Sequence, residues 1–203
     1  MAATMARAIK YWLKAIIKSR EVFEEFKDDP HKVLISFWIT FLFAFLYSLT
    51  AILLYVFQQP VKFPPWVPVA PENYYLYQTF WTIPWGLATW IMISGISHLL
   101  AIAGKKDFYN YKFENALAVC AIGFVVPWTI FTWLPETFLA PFFGVFWPFW
   151  LDMLRVSVLP VIWQVFLIAL GLRKTHNVFW FKGIAIGLLT VVVFFFMFLA
   201  FMR

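Results

Sequence analysis

From Val33 to Phe57 the chain runs without a charged residue. A helix needs about 20 apolar residues to cross a bilayer, so this stretch is long enough to span one. Similar stretches follow at about 80–103, 116–134, 151–172 and 183–202. The second is uncharged unless His98 is protonated, and only the fourth, with Asp152 and Arg155, carries charge. Residues 31–203 are therefore expected to form one five-span membrane domain, and the fold class is an all-α integral membrane protein. Composition agrees. Apolar residues make up 64% of the 203 and charged residues 13%, against roughly 45–50% and 25% in a soluble domain. A water-soluble chain of this length could not hide so much apolar surface.

Residues 1–30 read as a separate arm. Within it, 5–28 have an amphipathic helical pattern. Ile9, Trp12, Leu13, Ile16, Ile17 and Phe23 share one face, and Arg7, Lys10, Lys14 and Lys18 lie on the other with Glu21 and Glu25. A helix with a basic polar face is expected to lie in the headgroup layer against anionic lipid. The lysines also interrupt the first apolar stretch, so no cleavable signal peptide is expected. Pro30 ends the helix.

Charge placement predicts orientation. Thirteen lysines and arginines fall before span one or in the turns after spans two and four; Lys62 and Arg203 fall on the opposite side, and Arg155 lies within a span. The bias predicts a cytoplasmic N-terminus and an external C-terminus. Trp66, Trp81, Trp85, Trp133, Trp147 and Trp150 gather toward the outer side, as an aromatic belt would. The linker from Gln58 to Tyr75 holds five prolines and is expected to be irregular. The stretch from Pro135 to Trp150 is broken by three and reads as an interfacial connection.

Few side chains are candidates for chemistry. Asp152 and Arg155, three apart at the outer end of span four, share a helix face and form the candidate intramembrane pair. A self-paired charge near a helix start is a sufficient structural explanation. The sharper reading is an outward-facing polar pocket joined by Glu136. Gln164 reads as the one buried amide in the spans and is expected to bond a neighbouring helix. His98 is the one histidine well inside a span; His31 and His176 fall at the cytoplasmic edges, so a bis-histidine haem within the chain is not expected. Ser97 and His98 are neighbours and point about 100° apart on a helix, so they do not form a nucleophile–base pair by adjacency. With one cysteine, Cys120, an internal disulfide and a thiolate metal site are excluded. No catalytic residue, cofactor or metal is expected, and no nucleic-acid partner.

Three stretches resemble the Yip domain family, whose eukaryotic members are known as Rab-GTPase-interacting membrane proteins. "SREVFEEFKDDPHKVL" is similar to that family's acidic-aromatic entry to span one. "SHLLAIAGKKDFYNYKFENALAVCAIGFVVP" resembles its histidine, lysine-containing turn and Gly-aromatic span before proline, here Gly123, Phe124 and Pro127. "WQVFLIALGLRKTHNVFWFKGIAIGLL" is similar to its closing tryptophan, Gly-Leu turn and last span. The resemblance implies a five-span helical domain with a cytoplasmic N-terminus and, in eukaryotic relatives, a role in membrane organisation. The acidic Tyr-Gly-Pro signature of those relatives is absent, so the chain looks more like the prokaryotic branch, in a cell membrane. The expected function is a non-enzymatic scaffold or accessory subunit that meets anionic headgroups and other subunits or copies of itself. The alternative is a transporter or channel-like component using Asp152, Arg155 and the proline-kinked spans.

Overall fold

A computed structural model of the chain describes residues 2–61, 69–144 and 147–201. Trp66, Lys62 and Arg203, which entered the belt and charge arguments, lie outside the described residues. Six helices dominate: α1 (Ala2–Asp28), α2 (Lys32–Val56), α3 (Tyr74–Ile102), α4 (Phe113–Phe138), α5 (Phe149–His176) and α6 (Trp180–Phe201). The last five are each long and apolar enough to cross a membrane. The span helices run past the stretches read from sequence. α3 begins at Tyr74 rather than Phe80, and α4 continues through Pro127 and Pro135 to Phe138.

α4 is the most buried of the five. From Asn115 to Trp128 its side chains are buried, because Ala116, Ala118, Ala121 and Gly123 let neighbouring helices approach. Around its middle lies a layer of rings from four helices. Phe124 sits 5.8 Å from Phe43, 6.3 Å from Trp85 and 5.3 Å from Phe194, while Trp128 lies 4.2 Å from Phe194. Trp85 therefore belongs to the core rather than to an interfacial belt, and its indole donates to the Met197 carbonyl at 3.1 Å. Trp81 and Trp150 are exposed, as belt residues would be.

α5 and α6 meet through small residues. Gly183 and Gly187, one turn apart, face Ala169 and Val165. A Cβ on Gly187 would stand 3.0 Å from the Val165 backbone. That close approach needs glycine.

α1 departs from the sequence reading of one straight amphipathic helix. At Lys18 the backbone leaves helical geometry (φ −125°, ψ 46°) and the chain folds back on itself. Arg7 ion-pairs with Asp29, the Tyr11 ring lies 4.7 Å from Phe26, and Lys14 pairs with Glu25 and, at 3.2 Å, Glu21. In an unbroken helix Arg7 and Asp29 would stand about 33 Å apart. The predicted apolar face is split by this fold. Trp12 and Phe23 are buried against the bundle, while Ile9, Leu13 and Ile17 are exposed. The second half of the hairpin docks on the bundle: Phe23 packs beside Gly171 of α5, and Glu24 meets Lys174 at 2.6 Å.

Candidate functional site

The residues singled out from sequence fall into two polar clusters, one at each end of the bundle, with the ring layer between them. The first stands at the end where α4 finishes and α5 begins. Two helices widen there in the same way. α4 makes a π-helical turn at Thr129–Trp133 and α5 another at Met153–Val158. Each is followed by Leu-Pro: Leu134-Pro135 and Leu159-Pro160. A proline ring clashes with the carbonyl four residues back, and a wider turn before it relieves the clash. π turns of this kind concentrate at functional sites.

The widened turns bring charge together. Arg155, 5% exposed, donates from Nη2 to Asp152 Oδ1 at 2.9 Å and from Nη1 to Glu136 Oε1 at 3.3 Å. Glu136 Oε2 accepts the Tyr47 hydroxyl of α2 at 2.6 Å. The Arg155 guanidinium lies over the Trp147 ring, 4.9 Å from its centre, a cation–π contact. Asp152 and Arg155 thus pair as their spacing allowed, and Glu136 joins them. Beside the cluster, Thr50 and Thr137 hydroxyls meet at 2.7 Å. The cluster borders a cavity of about 240 Å³ whose wall is mostly apolar and aromatic, with Tyr75, Phe149, Met153 and Val156 among its lining residues. Gln78 also lines it, 8% exposed, with Oε1 unbonded among the described residues. The reading that left Gln164 as the one buried amide is corrected here: starting the second span at Phe80 put Gln78 outside it. Gln164 itself accepts the Trp128 indole N–H at 2.8 Å, bonding α5 to α4 as expected.

The second cluster stands at the lysine-rich end. His98 Nδ1 and His176 Nε2 are 3.2 Å apart, and His176 Nδ1 meets Thr175 Oγ1 at 2.8 Å. The sequence reading kept these histidines apart, one within a span and one at an edge. They meet because α3 and α5 run in the same direction, so the late turns of both finish at the lysine-rich end of the bundle. Ser97 does not join His98; its hydroxyl accepts Cys120 Sγ at 3.4 Å. Lysines cap the carbonyls of nearby helix ends. Lys105 donates to the His176 carbonyl and sits 3.9 Å over the Tyr111 ring, and Lys182 reaches the Ala103 carbonyl at 2.8 Å. Cations at helix C-termini are stabilising, so these lysines hold the bundle end together as well as setting its charge. Lys32, which reads as part of the basic flank, is buried and donates to Asn115 Oδ1 at 2.7 Å.

The predicted basic face of the arm is largely neutralised within the chain. Arg7 is held by Asp29, Lys14 by Glu25 and Glu21, and Lys18 by Glu21 at 3.1 Å. Lys10 has no ion pair among the described residues. Lys18 and Lys14 hold the Glu21 carboxyl below the usual carboxylate range, and Lys174 with Arg20 does the same for Glu24. Tyr47 and His176 carried no signal beyond their residue type, because each joins its cluster through a contact far away in sequence, with Glu136 and with His98.

Compared with known proteins, residues 13–202 match the Yip1 domain. No curated protein and no solved structure matches the chain. The match covers all five spans and the second half of the α1 hairpin, and the chain belongs to the Yip1 domain family.

Proposed function

We propose that this Yip1 family membrane protein is a non-enzymatic scaffold or accessory subunit of a larger membrane assembly. The observation that carries this reading is the ring layer of Phe43, Trp85, Phe124, Trp128 and Phe194, which separates the two polar clusters. Ions or polar solutes moving between the clusters would have to part these aromatic rings, which leave a cavity of only about 20 Å³ among them. The family is not an enzyme family, which supports the same reading. The outer faces of α3, α5 and α6 expose large apolar side chains such as Ile91, Ile162 and Val192, available to lipid or to other spans. The proposed orientation puts the lysine-rich end and the N-terminus in the cytoplasm and the C-terminus outside, on the lysine and arginine asymmetry. In that orientation the α1 hairpin lies at the membrane surface. Its exposed stripe of Met5, Ile9, Leu13 and Ile17 faces the acyl boundary, with Lys10 available to anionic headgroups.

The test is extraction from the native membrane in mild detergent. A stoichiometric partner, or a defined oligomer, is expected; a monodisperse monomer in lipid nanodiscs as well as in detergent would overturn the reading. A transporter is the second reading, favoured by the cavity at Arg155. It expects solute flux in proteoliposomes that Asp152→Asn abolishes while thermal stability is kept.

A further inference from the structure

We infer that Arg173, at the seam of α5 and α6, holds the phosphate of an anionic phospholipid. The site lies apart from the Arg155 cavity and does not rest on the scaffold reading. Arg173 falls in the last turn of α5, a helix long and apolar enough to cross a membrane. That places its guanidinium at head-group depth. The guanidinium carbon sits 5.2 Å from the centre of the Trp180 ring of α6, a cation–π contact. The same indole stacks on Phe166 of α5, with ring centres 5.9 Å apart and planes 22° apart. Phe166 and Arg173 are two helical turns apart on one face of α5, about 10 Å along its axis. Trp180 fills the space between them, so the three side chains form a column that fixes the guanidinium.

The donors of this guanidinium face outward and are unspent. Arg7, Arg20 and Arg155 each ion-pair within the chain. Arg173, which is exposed, has no acidic partner among the described residues, and its neighbour Lys174 is held by Glu24 at 2.6 Å. A stacked guanidinium uses its face and keeps the N–H fork in its plane. That fork matches two phosphate oxygens at once. The surface below makes the ligand a lipid. From Arg173 toward the middle of α5, Phe166 and Ile162 follow on the same face, both exposed, and Ile184 is exposed one turn beyond Trp180 on α6. An acyl chain lying on them leaves its phosphate at Arg173. Charge selects the head group. Segments 103–114 and 173–182 hold six lysines and arginines and two acidic residues, and Lys105 and Lys182 tie the two segments together. An ammonium on a zwitterionic head would be repelled by that field, whereas a lipid with net negative charge gains from it.

The experiment is native mass spectrometry of the full chain released from nanodiscs of equal parts phosphatidylglycerol, phosphatidylcholine and phosphatidylethanolamine. Retained phosphatidylglycerol is expected to exceed either of the others about fivefold, the ratio that one well-placed cation supplies. Arg173→Gln is expected to bring the three lipids to near parity while keeping the melting temperature of the parent, since the side chain is exposed. Lys106→Gln removes an equal charge from the neighbouring turn without altering the aromatic column, and is expected to keep the enrichment. Equal retention of the three lipids by the parent chain overturns the inference. So does an enrichment unchanged in Arg173→Gln, or one lost equally in Lys106→Gln, which would mark attraction to the charged end as a whole. Should Arg173→Gln fail to fold, Trp180→Leu, which frees the guanidinium from its stack, takes its place. It is expected to lower the enrichment, and an unchanged ratio there overturns the inference as well.

Discussion

His98 Nδ1 donates to His176 Nε2 across 3.2 Å, joining α3 to the last turn of α5. The direction of this bond follows from its neighbours. The Thr175 hydroxyl has one hydrogen, and it goes to the Gly171 carbonyl at 2.9 Å. Thr175 Oγ1 must therefore accept from His176 Nδ1–H, which leaves His176 Nε2 as the acceptor for His98. The four groups form a chain with one donor and one acceptor at each link. His176 is fully buried, so its ring has no water to turn to.

His98→Leu keeps the apolar contact with Phe113 and removes the donor. The orphaned His176 Nε2 is expected to cost about 1–3 kcal/mol, read as a lower melting temperature in nanodiscs. Asn in place of His98 restores an N–H and is expected to recover part of it. A leucine variant as stable as the parent would mean that the histidine bond contributes nothing to holding α3 on α5.

Glu136 is the hinge of the opposite cluster because it serves both Arg155 and Tyr47. Glu136→Ala leaves a buried guanidinium with one carboxylate fewer, expected to cost about 3 kcal/mol. Removing the cation as well changes the sign of the argument. A buried ion pair replaced on both sides by groups of similar volume is often neutral. Glu136→Gln with Arg155→Met is therefore expected to be more stable than Glu136→Ala, measured by thermal unfolding of the purified chain. If the double variant is the less stable of the two, the pair is a net stabiliser.

The contact of α6 with α5 is set by Gly187, where a Cβ would meet the backbone of Val165 rather than a movable side chain. Gly187→Val is expected to overpack the seam at a cost of about 1–3 kcal/mol. Crosslinking between α5 and α6, through cysteines placed near Ala169 and Gly183, should weaken in that variant. Unchanged crosslinking would show that the seam gives way without loss.

The legible parts of the fold were those written in local periodicity. Five apolar runs became five long helices, since a bilayer-length run without charge has one structural outcome. Asp152 and Arg155 were also readable, because residues three apart on a helix must share a face. What stayed hidden depends on contacts distant in sequence. Lys18 sits between Ile17 and Ser19, with no glycine or proline to mark a break, and the hairpin is held by Arg7 with Asp29 and Lys14 with Glu25. The prolines misled in the other direction. Pro127 and Pro135 read as a kink and a stop, yet α4 passes through both: Pro127 sits within α-helical backbone, and before Pro135 the helix widens to a π turn and keeps its remaining backbone bonds.

The proposed position of the hairpin at the membrane surface has a direct optical test. The native Cys120 is buried, so an introduced cysteine is labelled selectively. Ile17 is 86% exposed on the apolar stripe, and Lys10 is exposed as well. A fluorophore on Ile17→Cys is expected to be quenched by nitroxide lipids, and one on Lys10→Cys by aqueous iodide. Iodide quenching at both sites would put the stripe in water and rule out a surface-lying hairpin.

Acid should loosen the hairpin before it unfolds the bundle. In the folded chain Lys18 and Lys14 depress the Glu21 carboxyl, and Lys174 and Arg20 depress that of Glu24. A depressed carboxylate contributes stability that is complete above its unfolded value, about 4.3 for glutamate. That contribution is lost as pH falls through the lower folded value. The two ends of the hairpin differ in what they lose. Glu21 ties the first half to the second, while Glu24 ties the second half to α5 through Lys174 at 2.6 Å. Hydrogen exchange in the segment 14–28 is therefore expected to speed up below about pH 4, relative to intrinsic rates, while α4 stays protected. Glu24→Gln should bring the loosening of the second half to neutral pH and leave the first half's response in place. Protection that is flat from pH 7 to pH 3 would mean that burial of Trp12, Val22, Phe23 and Phe26 holds the hairpin by itself.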